Sequence, residues 1–171
     1  MRSNSHLYLI MVILSVFFFL YSGCKDKGVS ASRAPGFLLQ DLNGGMVSLD
    51  EYKGRIILLD FWATWCGPCR MSIPELVGLQ EKYKDKGLVV IGISLDDLNK
   101  VPNAYLLSFK EKFRINYQIL RFNKRIIQDY FGNTPPAIPT MFIIDRGFKI
   151  RDKIVGFNSR ALKKSLAEVF K

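Results

Sequence analysis

The stretch that decides the fold is Asp60-Phe61-Trp62-Ala63-Thr64-Trp65-Cys66-Gly67-Pro68-Cys69. It begins inside a nearly continuous apolar run, Ile56 to Trp62, which is typical of a strand buried on both faces. After it, Pro68 suits a first helical turn and Pro74 is expected to kink the helix. The helix itself is predicted by apolar residues that recur every three or four positions: Ile73, Leu76, Leu79 and Tyr83. The two cysteines therefore lie at a strand-to-helix junction.

Cys66 and Cys69 have the spacing at which a disulfide closes when the first cysteine caps a helix and the second lies one turn along it. A structural disulfide is one alternative, but so small a loop removes little entropy from the unfolded chain. A zinc half-site is another, and neither a second cysteine pair nor a histidine beyond His6 exists to complete it. We therefore interpret the pair as redox-active and expect no metal site.

The N-terminal segment predicts export. Leu7 to Tyr21 form an uncharged, almost wholly apolar run behind Arg2, and this run is shorter than the ~20 residues that span a bilayer. It ends at Ser22-Gly23-Cys24, which resembles the lipobox of bacterial lipoproteins, where the cysteine is lipidated after cleavage. An uncleaved anchor is the alternative. Both interpretations put the rest of the chain outside the cytoplasm, at the membrane, as a periplasmic or cell-surface protein.

We accordingly divide the chain into a signal peptide of residues 1–23, a tether of residues 24–34 and one domain of residues 35–171. The 171 residues are 49% hydrophobic and 23% charged, which excludes disordered and collagen-like chains. Cleavage before Cys24 would remove His6, the only histidine, and with it histidine-based catalysis. The net charge of +10 is spread along the chain, so we expect a solvated surface and no nucleic acid partner.

The other elements alternate between strands and helices. Asn43-Gly44-Gly45 separates two short runs and predicts an N-terminal hairpin, since these residues tolerate positive φ. Leu88 to Leu95 predicts a second buried strand, parallel to the first. Later residues predict a helix (99–113), a strand (117–120), a helix (123–131), two strands (140–145 and 148–157) and a helix (160–170) capped by Ser159.

Residues 60–69 resemble the active-site segment of thioredoxin, and Ile138-Pro139-Thr140 resembles that family's loop before a Pro-Thr strand. The signal, the hairpin and the inserted helix-strand-helix of residues 99–131 are similar to membrane-anchored TlpA/ResA-type thiol-disulfide oxidoreductases. The resemblance implies a thioredoxin-like α/β fold, with a central mixed sheet flanked by helices, an N-terminal β-hairpin and that insertion. Two departures are a longer loop over residues 132–137 and Ser72, where some members carry a glutamate.

The residues support a division of roles. At a helix N-terminus, backbone N–H groups and the helix dipole stabilise a thiolate, so Cys66 is the expected nucleophile. Cys69, one turn deeper, is the expected resolving thiol. The resemblance gives Asp60 the role of proton acceptor for Cys69, and burial in a strand raises the pKa of a carboxyl toward neutrality. A hydrogen-bonded structural aspartate is the alternative.

The resemblance also implies a docking surface for the substrate. It makes the bond before Pro139 cis, which would expose the backbone of Ile138 to a substrate strand and deny a metal its third ligand. Trp65, Gly67 and Pro68 complete the expected surface around the sulfurs. Trp62, by contrast, is predicted to lie in the core.

We expect an enzyme that reduces disulfides in exported proteins, such as apocytochrome c. The resemblance implies electrons from an integral membrane thiol carrier and no cofactor beyond the Cys66–Cys69 disulfide, and we expect a monomer. A thiol peroxidase of the redoxin type is an alternative, although the Pro-x-x-x-Thr-x-x-Cys pattern is absent around Cys66. A copper-binding or chaperone-like module on the same fold is a non-enzymatic alternative.

Overall fold

The computed structural model describes residues 32–171. The predicted signal peptide, Cys24 and most of the predicted tether lie outside these residues. The strands are β1 (Leu38–Gln40), β2 (Met46–Ser48), β3 (Ile56–Trp62), β4 (Leu88–Ser94), β5 (Gln118–Arg121), β6 (Thr140–Ile144) and β7 (Ile150–Val155). The helices are α1 (Gly67–Tyr83), α2 (Asn103–Lys112), α3 (Lys124–Phe131) and α4 (Ser159–Val169).

Five strands form one central sheet in the order β5-β4-β3-β6-β7. Strands β3, β4 and β5 are parallel neighbours, whereas β6 pairs antiparallel with both β3 and β7, so the sheet is mixed. The separate pair β1–β2 is the predicted N-terminal hairpin, and α2, β5 and α3 form the predicted insertion. The thioredoxin-like fold class is therefore confirmed.

Strand β3 is buried at all seven positions because the two faces of the sheet carry separate cores. Ile56, Leu58 and Trp62 point into the core that contains α1 and α4. Ile57, Leu59 and Phe61 point into the other core, which contains α3 and the hairpin. This explains why the run is apolar throughout rather than alternating. The exception, Asp60, pairs in register with Gly92 on β4 and Met141 on β6.

Helix α2 begins at Asn103, later than the predicted Asn99, and that prediction was wrong. Pro102 occupies the N-cap position, and the residues before it form a turn in which Val101 N–H donates to Asp97 O at 2.8 Å. On this helix Tyr105 is 52% exposed, while its neighbour Leu106 is fully buried. Strand β5 begins one residue later than predicted, at Gln118.

The cap of α4 is also different from the prediction. Asn158, not Ser159, is the N-cap, and its side chain accepts a hydrogen bond from Ala161 N–H at 3.0 Å. The Ser159 hydroxyl donates instead to Glu75 Oε1 on α1, at 2.8 Å. Helix α1 extends through Pro74 to Tyr83, so the proline does not end the helix.

Candidate active site

The Cys66–Cys69 pair forms a disulfide at the N-terminus of α1, with a Cα–Cα distance of 5.2 Å. Cys66 is the N-cap residue, and its Sγ accepts a hydrogen bond from Cys69 N–H at 3.2 Å. Pro68 lies in the first turn of the helix, where its missing N–H costs no hydrogen bond. The two sulfurs differ in access, since Cys66 is 6% exposed and Cys69 is completely buried.

The turn before the disulfide is held by the neighbouring strand. Cys66 N–H donates to Ala63 O at 3.2 Å, which closes the turn between β3 and α1. The Thr64 hydroxyl donates to Asp96 Oδ1 at 2.7 Å, and Thr64 N–H also donates to the Asp96 carboxylate. Asp96 lies two residues beyond the end of β4 and is fully buried. Sequence reasoning missed Asp96, although a carboxylate directly after a buried parallel strand was a usable signal.

The loop before β6 packs against the disulfide. The Ile138–Pro139 peptide bond is cis, and Cys66 Sγ lies 3.8 Å from Ile138 O. The Thr140 hydroxyl, at the start of β6, donates to Ala137 O. A backbone carbonyl of this loop therefore borders the more accessible sulfur.

Asp60 lies on β3, on the face of the sheet that packs against α1, and is 1% exposed. Its Oδ1 has no hydrogen-bond partner within residues 32–171. Removal from water raises the pKa of the Asp60 carboxyl from 3.8 to about 7. A carboxyl with that pKa exchanges protons readily near neutral pH.

The tryptophans beside the site have opposite environments. Trp65 is 68% exposed next to Cys66, whereas Trp62 is buried in the core against Phe109. Ser72, in the second turn of α1, is fully buried, and its hydroxyl donates to Cys69 O at 2.8 Å. The site thus presents an aromatic ring to solvent, and its second turn carries a hydroxyl rather than a carboxylate.

Across residues 32–171, no group of three or more His, Cys, Asp or Glu side chains is placed to hold a metal ion. None of the helices in this part of the chain is both long and apolar enough to cross a membrane.

A thioredoxin-like domain with a Cys-Gly-Pro-Cys disulfide at a helix N-terminus defines a thiol-disulfide oxidoreductase. A family model described as AhpC/TSA family matches residues 31–153, and the chain belongs to this family. It is 32% identical to thiol-disulfide oxidoreductase ResA of Bacillus anthracis, over 91% of each chain. It is 35% identical to thioredoxin-like protein YneN of Bacillus subtilis (strain 168), over 77% of this chain and 75% of that one.

Comparison with solved structures supports the same class of protein. A crystal structure of a thiol:disulfide interchange protein of the thioredoxin family from Chlorobium tepidum TLS superposes with a TM-score of 0.72 at 26% identity. The superposition covers 82% of this chain and 97% of that one. The protein is therefore an enzyme, a thiol-disulfide oxidoreductase whose redox-active group is the Cys66–Cys69 pair.

Proposed function

We propose that this enzyme reduces disulfide bonds of proteins outside the cytoplasm, with Cys66 as the attacking thiolate and Cys69 as the resolving thiol. The observation that supports this proposal is the asymmetry of the pair. Cys66 caps α1, beside the exposed Trp65, while Cys69 is wholly buried one turn deeper. The Cys69 N–H and the helix dipole both favour negative charge on Cys66 Sγ.

In the first step, the Cys66 thiolate attacks one sulfur of the substrate disulfide. A bond forms between the two sulfurs, the substrate disulfide breaks, and the leaving thiolate takes a proton from water. Cys69 then loses its proton and attacks Cys66 Sγ. This closes the Cys66–Cys69 disulfide and releases the second substrate thiol, so two electrons pass from the enzyme to the substrate.

Asp60 is the base that we assign to the second step. It accepts the proton of the Cys69 thiol, which has no access to solvent. With a pKa of about 7, Asp60 is about half ionised at neutral pH and can both accept and release that proton. The carbonyl of Ile138, beside Cys66, is where we place a strand of the substrate, and Trp65, Gly67 and Pro68 border the same surface.

We further propose that the enzyme is a lipoprotein of the periplasm or cell surface, anchored through Cys24 after cleavage of residues 1–23. The Ser22-Gly23-Cys24 sequence supports the anchor. An integral membrane thiol carrier would reduce the disulfide again, and no other cofactor is needed. Exported proteins with a reducible disulfide, such as apocytochrome c before haem attachment, are the proposed substrates, and we propose that the enzyme acts as a monomer.

The direction of electron flow is tested by the reduction potential of the Cys66–Cys69 pair, measured on the full chain equilibrated with defined thiol buffers. Thioredoxin, which the site resembles, has a potential of about −270 mV, whereas the oxidant DsbA has about −120 mV. We expect a value near or below about −250 mV. A value near about −150 mV would contradict the reductase proposal and favour disulfide formation.

The roles of the two cysteines are tested with Cys66→Ser and Cys69→Ser. Cys69→Ser is expected to accumulate a mixed disulfide with a model substrate, because nothing resolves it. Cys66→Ser is expected to form none and to reduce no substrate. The reverse pattern would contradict the assignment.

A peroxidase assay tests the alternative within the same family. Leu59 and Ala63 stand where the Pro-x-x-x-Thr-x-x-Cys pattern needs proline and threonine before Cys66. We therefore expect turnover of hydrogen peroxide with a thiol donor to be negligible beside disulfide reduction. The opposite ranking of the two rates would replace the proposed function with that of a thiol peroxidase.

A further inference from the structure

Three buried polar atoms on one face of the sheet have no hydrogen-bond partner within residues 32–171. They are Asp60 Oδ1, Trp62 Nε1 and the Tyr117 hydroxyl. All three side chains are at most 4% exposed. Buried polar groups in proteins ordinarily form hydrogen bonds, so three such atoms in one region call for a common explanation.

Gly92 brings the three side chains together. It pairs in register with Asp60 on β3 and with Ile119 on β5, two residues beyond Tyr117. A Cβ atom on Gly92 would lie 2.8 Å from Trp62 Nε1 and 3.3 Å from Tyr117 Cε2. The indole and the phenol therefore both lie over Gly92, in space that a side chain at this position would need.

The chemistry of the three groups is complementary. An ionised carboxylate only accepts hydrogen bonds, an indole N–H only donates, and a phenol hydroxyl does both. The charge of Asp60 reaches Tyr117, since burial and this charge together raise the pKa of the Tyr117 hydroxyl. Tyr117 therefore keeps its proton near neutral pH and is available as a donor to Asp60.

We propose that Tyr117 is a positioning residue for Asp60: its hydroxyl, with the Trp62 indole N–H, donates hydrogen bonds to the carboxylate form of Asp60 during the step in which Cys69 loses its proton. Gly92 is the position that permits this arrangement. The inference rests on the role proposed above for Asp60, and it adds a partner that sets how readily Asp60 ionises.

The titration of Asp60 in Tyr117→Phe tests the contact directly. The carbon-13 shift of the Asp60 carboxyl is followed against pH in the reduced full chain. Loss of a donor to the charged form raises the titration midpoint, so we expect it to lie above that of the wild type. An unchanged or lower midpoint would overturn the proposal. Trp62→Phe, which removes the other donor, is expected to shift the midpoint in the same direction.

Tyr130→Phe is the matched control. Tyr130 is also buried, but it packs in the opposite core, and its hydroxyl donates to Pro35 O at 3.0 Å. Its loss should leave the Asp60 midpoint unchanged. A shift as large as that in Tyr117→Phe would show a general effect of lost packing and would count against the proposal.

The pH dependence of the resolving step gives a second readout. If the Asp60 midpoint rises by one unit from about 7, its ionised fraction at pH 7 falls about fivefold. We expect Tyr117→Phe to slow resolution of the mixed disulfide about fivefold at pH 7 and to approach the wild-type rate above pH 9. The other titratable groups that bear on this region are Cys66 and Cys69 at the start of α1, with Asp41 and Lys110 beside Tyr117 at the sheet edge. A rate deficit that stays constant with pH would contradict the proposal.

The Asp60→Asn variant distinguishes failure of the proposed role of Tyr117 from failure of the proposed role of Asp60 as the base. If Asp60→Asn resolves the mixed disulfide as fast as the wild type, Asp60 is not the base, and the proposed role of Asp60 fails. The carbon-13 titration still decides whether Tyr117 contacts Asp60. If Asp60→Asn is slow but Tyr117→Phe matches the wild type in both readouts, only the role of Tyr117 fails.

Discussion

Two buried aspartates lie near the carboxyl ends of adjacent parallel strands, and their surroundings are opposite. Asp96, after β4, accepts hydrogen bonds from the Thr64 N–H, the Thr64 hydroxyl and the Ser94 hydroxyl. Asp60, on β3, is equally buried, but its Oδ1 has no partner within residues 32–171. Hydrogen bonds from Thr64 and Ser94 satisfy the Asp96 carboxylate. Asp60 Oδ1, in contrast, can still accept a hydrogen bond.

The difference shows that burial alone does not identify a reactive carboxyl. A satisfied carboxylate such as Asp96 is well suited to fixing the loop that leads to Cys66. Removal from water destabilises the anion of Asp60 and raises the pKa of its carboxyl to about 7, and no hydrogen bond to Oδ1 within residues 32–171 offsets this effect. Replacing each aspartate in turn should therefore give effects of opposite sign on stability.

The largest effect is expected from Asp60→Asn, measured as the free energy of unfolding of the oxidised protein against pH. Below pH 3.8 the Asp60 carboxyl is protonated in both the folded and the unfolded wild type. Between pH 3.8 and about 7 only the unfolded state releases the proton, so wild-type stability falls as pH rises. The fall approaches a magnitude on the order of 4 kcal/mol above pH 7. Asp60→Asn should lack this fall and be the more stable protein there.

Asp85→Asn is the control for that series. Asp85 is exposed, so its replacement should reproduce the pH dependence of the wild type. Parallel pH profiles for the wild type and Asp60→Asn would mean that Asp60 is not the group that loses stability when it ionises.

Asp96→Asn is expected to destabilise the protein by about 2–3 kcal/mol in a denaturant titration, the opposite sign from Asp60→Asn at neutral pH. The amide removes the negative charge and one of the two acceptor oxygens that bind Thr64 and Ser94. Asp97→Asn, one residue on and exposed, should cost less than about 0.5 kcal/mol. Equal losses in the two variants would show that the Asp96 network contributes little.

The surroundings of the two aspartates also differ in how far they can be predicted from the sequence. The position of β3, the cap at Cys66 and the burial of Asp60 follow from local patterns, because apolar runs and helix caps are determined by near neighbours. The Asp96–Thr64 bonds and the position of both Trp62 and Tyr117 over Gly92 involve residues far apart in the chain. They depend on strand order and register, which local periodicity does not encode.

The N-cap of α4 is another feature that local sequence preference does not determine, although the two candidate residues are adjacent. Asn158 and Ser159 are both favoured N-cap residues, so intrinsic preference does not choose between them. The contact of Ser159 with Glu75 on α1 decides the outcome, and it exists only in the folded domain.

Thr64→Val is expected to have the smallest effect of these substitutions. It also tests whether Asp60 and Asp96 affect the free energy of unfolding independently. Valine keeps the shape of the side chain but loses the hydroxyl that donates to Asp96 Oδ1 at 2.7 Å, while the backbone N–H bond remains. We expect a loss of about 1–2 kcal/mol in the free energy of unfolding. In a double variant with Asp96→Asn the losses should fall short of additive, because both changes remove one interaction. With Asp60→Asn the loss from Thr64→Val and the gain from Asp60→Asn should add algebraically at neutral pH, since Asp60 and Thr64 share no hydrogen-bond partner. Coupling there would mean that the two carboxyls act as one network.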